Sequence, residues 1–101
     1  LQAPVATSVS GKGAIDECHP LAVGWGYGTH GALAAEKAFK EVDLLLAIGV
    51  KYSEVSTAFY SQPTIKHAIH VDAEPKNLGK VIEPDVCVHA DAGFFRDHLL
   101  A

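Results

Sequence analysis

Apolar positions along the chain change their period several times, and each change marks a predicted element. Residues 43–50 (DLLLAIGV) are apolar almost throughout. That pattern belongs to a strand covered on both faces in a parallel sheet, not to one with a wet face. Three shorter β-type runs are 4–8 (PVATS), 66–72 (KHAIHVD) and 86–91 (VCVHAD), the last two each closing on an aspartate. Residues 29–42 (THGALAAEKAFKEV) repeat at helical spacing. Gly31, Ala34, Ala35, Ala38 and Val42 share one predicted face, while Glu36, Lys37, Lys40 and Glu41 face water. Thr29 is the expected N-cap, and Glu36 and Lys40 stand four apart in the favourable order. Pro75 is placed to open a short helix, and Asp91 to cap a last one carrying Phe94, Phe95, Leu99 and Leu100.

Strands alternating with helices predict an α/β domain built on a parallel sheet. In open parallel sheets ligands bind just beyond the carboxyl ends of the strands. Polar and glycine residues gather at those ends: Thr7, Ser8 and the turn at Gly11 and Gly13 after the first strand, and Gly49 with Lys51 after the second. Asp72 and Asp91 end the later two.

Composition then removes several function classes. The 101 residues suffice for one domain, and 49% apolar residues are ordinary for a folded chain. Eight Lys and Arg against twelve Asp and Glu give a net charge of −4 with no cationic stripe. Nucleic acid and anionic membrane surfaces are therefore not expected partners. No apolar run approaches the roughly 20 residues needed to cross a bilayer. Cys18 and Cys87 are far apart in sequence and fit a reduced, cytoplasmic-type compartment. With no methionine anywhere, the chain is expected to be a piece of a longer polypeptide.

Glycines cluster between residues 11 and 31, and Gly26-Tyr27-Gly28-Thr29-His30-Gly31 matches G-x-G-x-x-G as it runs into the predicted helix. A dinucleotide fingerprint also needs a good preceding strand and an acid at the end of the next one. The run 21–23 is short, and Asp43 lies at the start of its strand, so an ordinary NAD-type fingerprint is rejected. Two readings stay open: a phosphate cradle of another geometry, or glycines serving tight turns and close helix–sheet packing. Lys12, between two glycines, either meets an anion or is a solvated turn residue. Trp25 and Tyr27 either stack on a flat ligand or cover an interface. His67 and His70 are three apart on a strand and point to opposite faces, and Cys87 with His89 makes only two ligands, so no metal site is expected. No catalytic Ser-His-Asp or Cys-His spacing is present.

Taken in order, APVATSVSGKGAIDECHPLAVG, a glycine loop ending THG, EVDLLLAIGVKY, HAIHVDAEPKNLGK and a closing HADAG resemble the central domain of thiamine diphosphate-dependent enzymes of the acetolactate synthase and pyruvate oxidase group. The resemblance covers nearly the whole chain. It implies a three-layer, Rossmann-like parallel sheet and, for residues 1–101, a partial central domain that lacks its N-terminal strand–helix unit. The absent strand would lie between the strands at 4–8 and 43–50. It further implies a parent enzyme that uses thiamine diphosphate and magnesium on 2-keto acids, cleaving or forming a carbon–carbon bond. Those cofactors are held by other domains, so no catalytic residue is assigned here and the piece alone is expected to be inactive. Partners are the remaining domains of the parent and further copies in a homo-oligomer. Some members bind FAD or ADP in this domain. By similarity Thr7, Ser8, Thr29, His30, Gly31, Gly49 and Lys51 would line that groove, with Asp72 and Asp91 beside the ribose or adenine. Flavin-binding members usually carry Arg where this chain has Lys51, which removes a bidentate phosphate fork. Two other readings are a stand-alone nucleotide-binding module and a purely structural oligomerisation domain.

Overall fold

The computed structural model describes residues 1–27 and 30–101. The elements follow in the order β1 (Val5–Thr7), β2 (Ala22–Trp25), α1 (Leu33–Glu41), β3 (Leu44–Ile48), β4 (His67–Asp72), a 3-10 turn (Pro75–Asn77), β5 (Val86–His89) and α2 (Ala92–Leu100). All ladders are parallel, and the class is α/β, as the alternation of periods predicts. The chain divides into two compact units, Leu1–Val42 with Tyr52–Thr64, and Asp43–Lys51 with Ile65–Ala101.

In the first unit β1 pairs with β2, and α1 packs on β2. Its core is aromatic. Tyr27 meets Phe39 edge-on with ring centroids 5.5 Å apart and lies 5.6 Å from Tyr52, and all three rings are buried. This cluster corrects two expectations for the helix. Its buried face is Ala35 with Phe39, four apart, whereas Ala34, expected on the covered face, is exposed. The large ring at Phe39 outweighs the small alanines in choosing the face, because burial is driven by apolar area. The helix also starts later than expected. Ala32 stands at the N-cap with no side-chain bond, and Thr29 lies outside the described residues.

The second unit is a three-stranded sheet in the order β3-β4-β5, with unbroken register from Leu44↔His67 to Ile48↔Val71 and from Ile69↔Val86 to Asp72↔His89. Ala47, Ala68, His70 and Val71 form its buried centre. Asp91 caps α2 as expected, its Oδ1 accepting from the N–H groups of Gly93 and Phe94 at 2.9 and 3.1 Å. Pro75 opens the 3-10 turn, and Glu74 takes the cap by accepting from the Lys76 N–H.

The strand expected to be covered on both faces is not. Leu44 is 52% and Ile48 39% exposed, and β3 is an edge strand while β4 takes the centre. Among the described residues β3 has a ladder partner on one side only, and so does β1.

Candidate functional site

The expected site residues fall at the carboxyl ends of strands in both units. In the second unit, β3 runs into Gly49, whose φ of +66° is left-handed and suits glycine, and whose N–H donates to Val71 O at 2.8 Å. Lys51 follows and is exposed. β4 ends at Asp72, which is only 7% exposed. Its Oδ1 accepts from the Glu74 N–H at 2.8 Å and from Asn77 Nδ2 at 3.4 Å, while among the described residues neither bond falls on Oδ2. Sequence reasoning missed Asn77, although an aspartate followed by Glu-Pro-Lys-Asn carries a turn signal. Asp91 lies just beyond β5, with its carboxylate engaged by the α2 amides.

In the first unit, Thr7 closes β1 and Ser8 follows it. Ser8 Oγ accepts from the Gly11 N–H at 3.0 Å. Burial pushes the Tyr27 phenol up, only partly offset by its hydrogen bond with Ser8. His30 is exposed, its ring edge-on to Phe59 with centroids 6.1 Å apart. The glycine cluster now has a packing role. A side chain at Gly26 would meet Gly31 Cα at 2.6 Å, and one at Gly31 would meet Trp25 O at 2.5 Å. The open alternative of close backbone packing therefore holds for these two positions. The strand judged short before this loop is a real one, β2.

At the opposite end of the second unit's sheet, Asp85 bridges β4. Its N–H donates to Ala68 O, and its Oδ2 accepts from the Ala68 N–H, both at 2.8 Å. That second bond, with His67 Nδ1 3.5 Å away, holds the Asp85 carboxyl below the usual carboxylate value. His67 is exposed and His70 is 1% exposed, its Nε2 lying 2.9 Å from Val50 O, so the two rings face opposite ways as alternation requires. Among the described residues no three His, Cys, Asp or Glu side chains gather as a metal-binding group. No helix there is long and apolar enough to cross a membrane.

Parallel ladders in a chain that also carries α1 and α2, with polar residues at the carboxyl ends of the strands, define an α/β architecture of the Rossmann-like kind. The family described as thiamine pyrophosphate enzyme, central domain, matches residues 1–99, and the chain belongs to that family. It is 42% identical to the probable acetolactate synthase large subunit of Methanocaldococcus jannaschii, over 97% of this chain and 17% of that protein. It is 39% identical to the mitochondrial acetolactate synthase of Schizosaccharomyces pombe, over 90% of this chain and 15% of the relative. A probable chloroplastic acetolactate synthase of Oryza sativa is 38% identical over 87% of this chain and 13% of its own length. The chain thus spans about a sixth of the length of the curated relatives it matches.

Proposed function

We propose that the chain is the larger part of the central domain of an acetolactate synthase-type enzyme. It supplies a scaffold and a nucleotide groove, and no catalytic residue. The parent enzyme makes or breaks a carbon–carbon bond of a 2-keto acid with thiamine diphosphate and magnesium, in a cytoplasmic homo-oligomer. When bound, thiamine diphosphate supplies a nucleophilic carbon that stabilises the carbanion. This chain's own part is binding and positioning.

The observation that carries the groove is Asp72. A carboxylate 7% exposed at the carboxyl end of a central parallel strand, held by Oδ1 alone among the described contacts, can accept from ribose hydroxyls through Oδ2. By resemblance to the family, Thr7, Ser8, Thr29, His30, Gly31, Gly49 and Lys51 are the candidates for the diphosphate and Asp91 a second candidate for the ribose or adenine end. Binding of FAD, ADP or CoA is read by thermal shift, and FAD also by a yellow colour on purification. We expect FAD or ADP to raise the melting temperature and Asp72→Asn to reduce that rise. If no nucleotide shifts the melting temperature of the full polypeptide, the groove reading fails and the structural reading stands.

The open edges of β1 and β3 belong to the same proposal. Each edge takes a further strand, from the longer parent polypeptide or from another copy. It covers apolar residues such as Leu44 that the sequence pattern assigns to a sheet interior.

A further inference from the structure

Lys12 and Trp25 are unused by the nucleotide groove, and the structure brings them into one cleft within the first unit. It measures about 240 Å³ and is lined by Val5 and Thr7 of β1, by Ala22 and Trp25 of β2, and by the loop residues Lys12, Ile15 and Glu17. The lining depends on a break in the ladder. Val5 pairs with Ala22, but Ala6 pairs with Gly24 and Thr7 with Trp25, so Val23 is an extra residue. Cross-strand partners in a parallel pair share a face. The bulge therefore puts Ala22 and Trp25, an odd three residues apart, on the same face as Val5 and Thr7. Regular alternation would have sent Trp25 to the other side, and bulges that re-aim a side chain recur beside functional sites.

The wall opposite the strands is equally defined. The Gly11 N–H bonds Ser8 O, the Ala14 N–H bonds Gly11 O, and the Cys18 N–H bonds Asp16 Oδ1 at 2.9 Å, so this loop is held by successive turns. It places Lys12 Nζ 3.5 Å from Glu17 Oε1, with Lys12 the more covered partner at 52% exposure against 65%. The cleft thus offers an indole, an aliphatic floor, a hydroxyl and an ammonium whose only described ion-pair partner is held loosely. At about 240 Å³ this open cleft has room for a single ring with a carboxylate.

We propose that this cleft binds a small aromatic monocarboxylate, its ring against Trp25 and the aliphatic floor and its carboxylate on Lys12 in place of Glu17. The site shares Thr7 with the proposed nucleotide groove and uses none of its other residues. Trp25 is the only tryptophan of the chain, so its fluorescence reports the cleft directly. Benzoate is expected to change that emission saturably. Benzamide, equal in shape but uncharged, should bind about fivefold more weakly, the scale of one exposed charge pair. Lys12→Gln, on an exposed turn, should abolish that difference. Ala22→Leu should fill the floor and abolish benzoate binding, with far-UV circular dichroism confirming the fold. The Gly13 and Gly24 amide resonances give a second readout of the cleft in the unsubstituted chain. A linear, unsaturable response overturns the proposal, as does equal binding of benzamide, tighter binding of benzylamine, or unchanged binding by folded Ala22→Leu.

Discussion

At the scale of single residues, two kinds of contact decide what a side chain can be. Gly26 and Gly31 are required by contact between their own backbones, since a Cβ on either would sit within 2.6 Å of the neighbouring chain. That close approach is reason enough for two glycines of the G-x-G-x-x-G string. Asp85 is decided by charge. Its carboxylate accepts the Ala68 N–H and lies beside His67, so its acidity is raised in the folded state. A depressed carboxyl stabilises the fold fully above the ordinary value of 3.8, and that contribution is lost as pH falls through the lowered folded value. Asp85→Asn should therefore flatten the acid side of the stability–pH curve while changing it little in its shape near neutrality. Urea melts across the acid range test this; identical acid limbs in the two proteins would show that the bond carries no linkage.

At the scale of elements, the two helices differ in how they begin. α2 has the Asp91 carboxylate on two of its first amides, whereas α1 starts at Ala32 without a side-chain cap and leans on Ala35 and Phe39 for its place. Asp91→Ala should cost about 1 kcal/mol, the usual worth of an N-cap, and Asp91→Asn much less. Thermal or chemical melts give the number. The pair also separates two roles of this residue, because asparagine keeps the cap and removes the charge offered to a ribose. If Asp91→Ala melts like the unsubstituted chain, the cap contributes nothing.

At the scale of the whole chain, open parallel edges dominate. β3 is Leu-Leu-Leu-Ala-Ile with a ladder on one side, and Leu44 is half exposed. Such an edge templates pairing with other chains unless it is covered or charged. The 101-residue chain should self-associate with rising concentration in sedimentation velocity. Leu44→Lys should weaken that association, while Leu33→Lys, on an exposed helical position, should not. A strictly monomeric chain, or equal effects of the two lysines, would dismiss the edge as the cause.

Much of this was legible before any coordinates. The periods of 43–50, 66–72 and 86–91 named three strands, the aspartate before Ala92 named a cap, and the order of segments named the family. What misled was local composition: alanines at helical spacing put Ala34 on the covered face, and an apolar run put both faces of β3 under cover. By itself the sequence determined element type, the parallel α/β class and the family, since these follow from period and order along the chain. Only the tertiary structure decided that Phe39 joins Tyr27 and Tyr52, that Val23 bulges and brings Trp25 and Lys12 to one cleft, and that β4 is the middle strand of its sheet. Each of those depends on which distant segments meet, and ladder partners and ring contacts leave no period in the sequence.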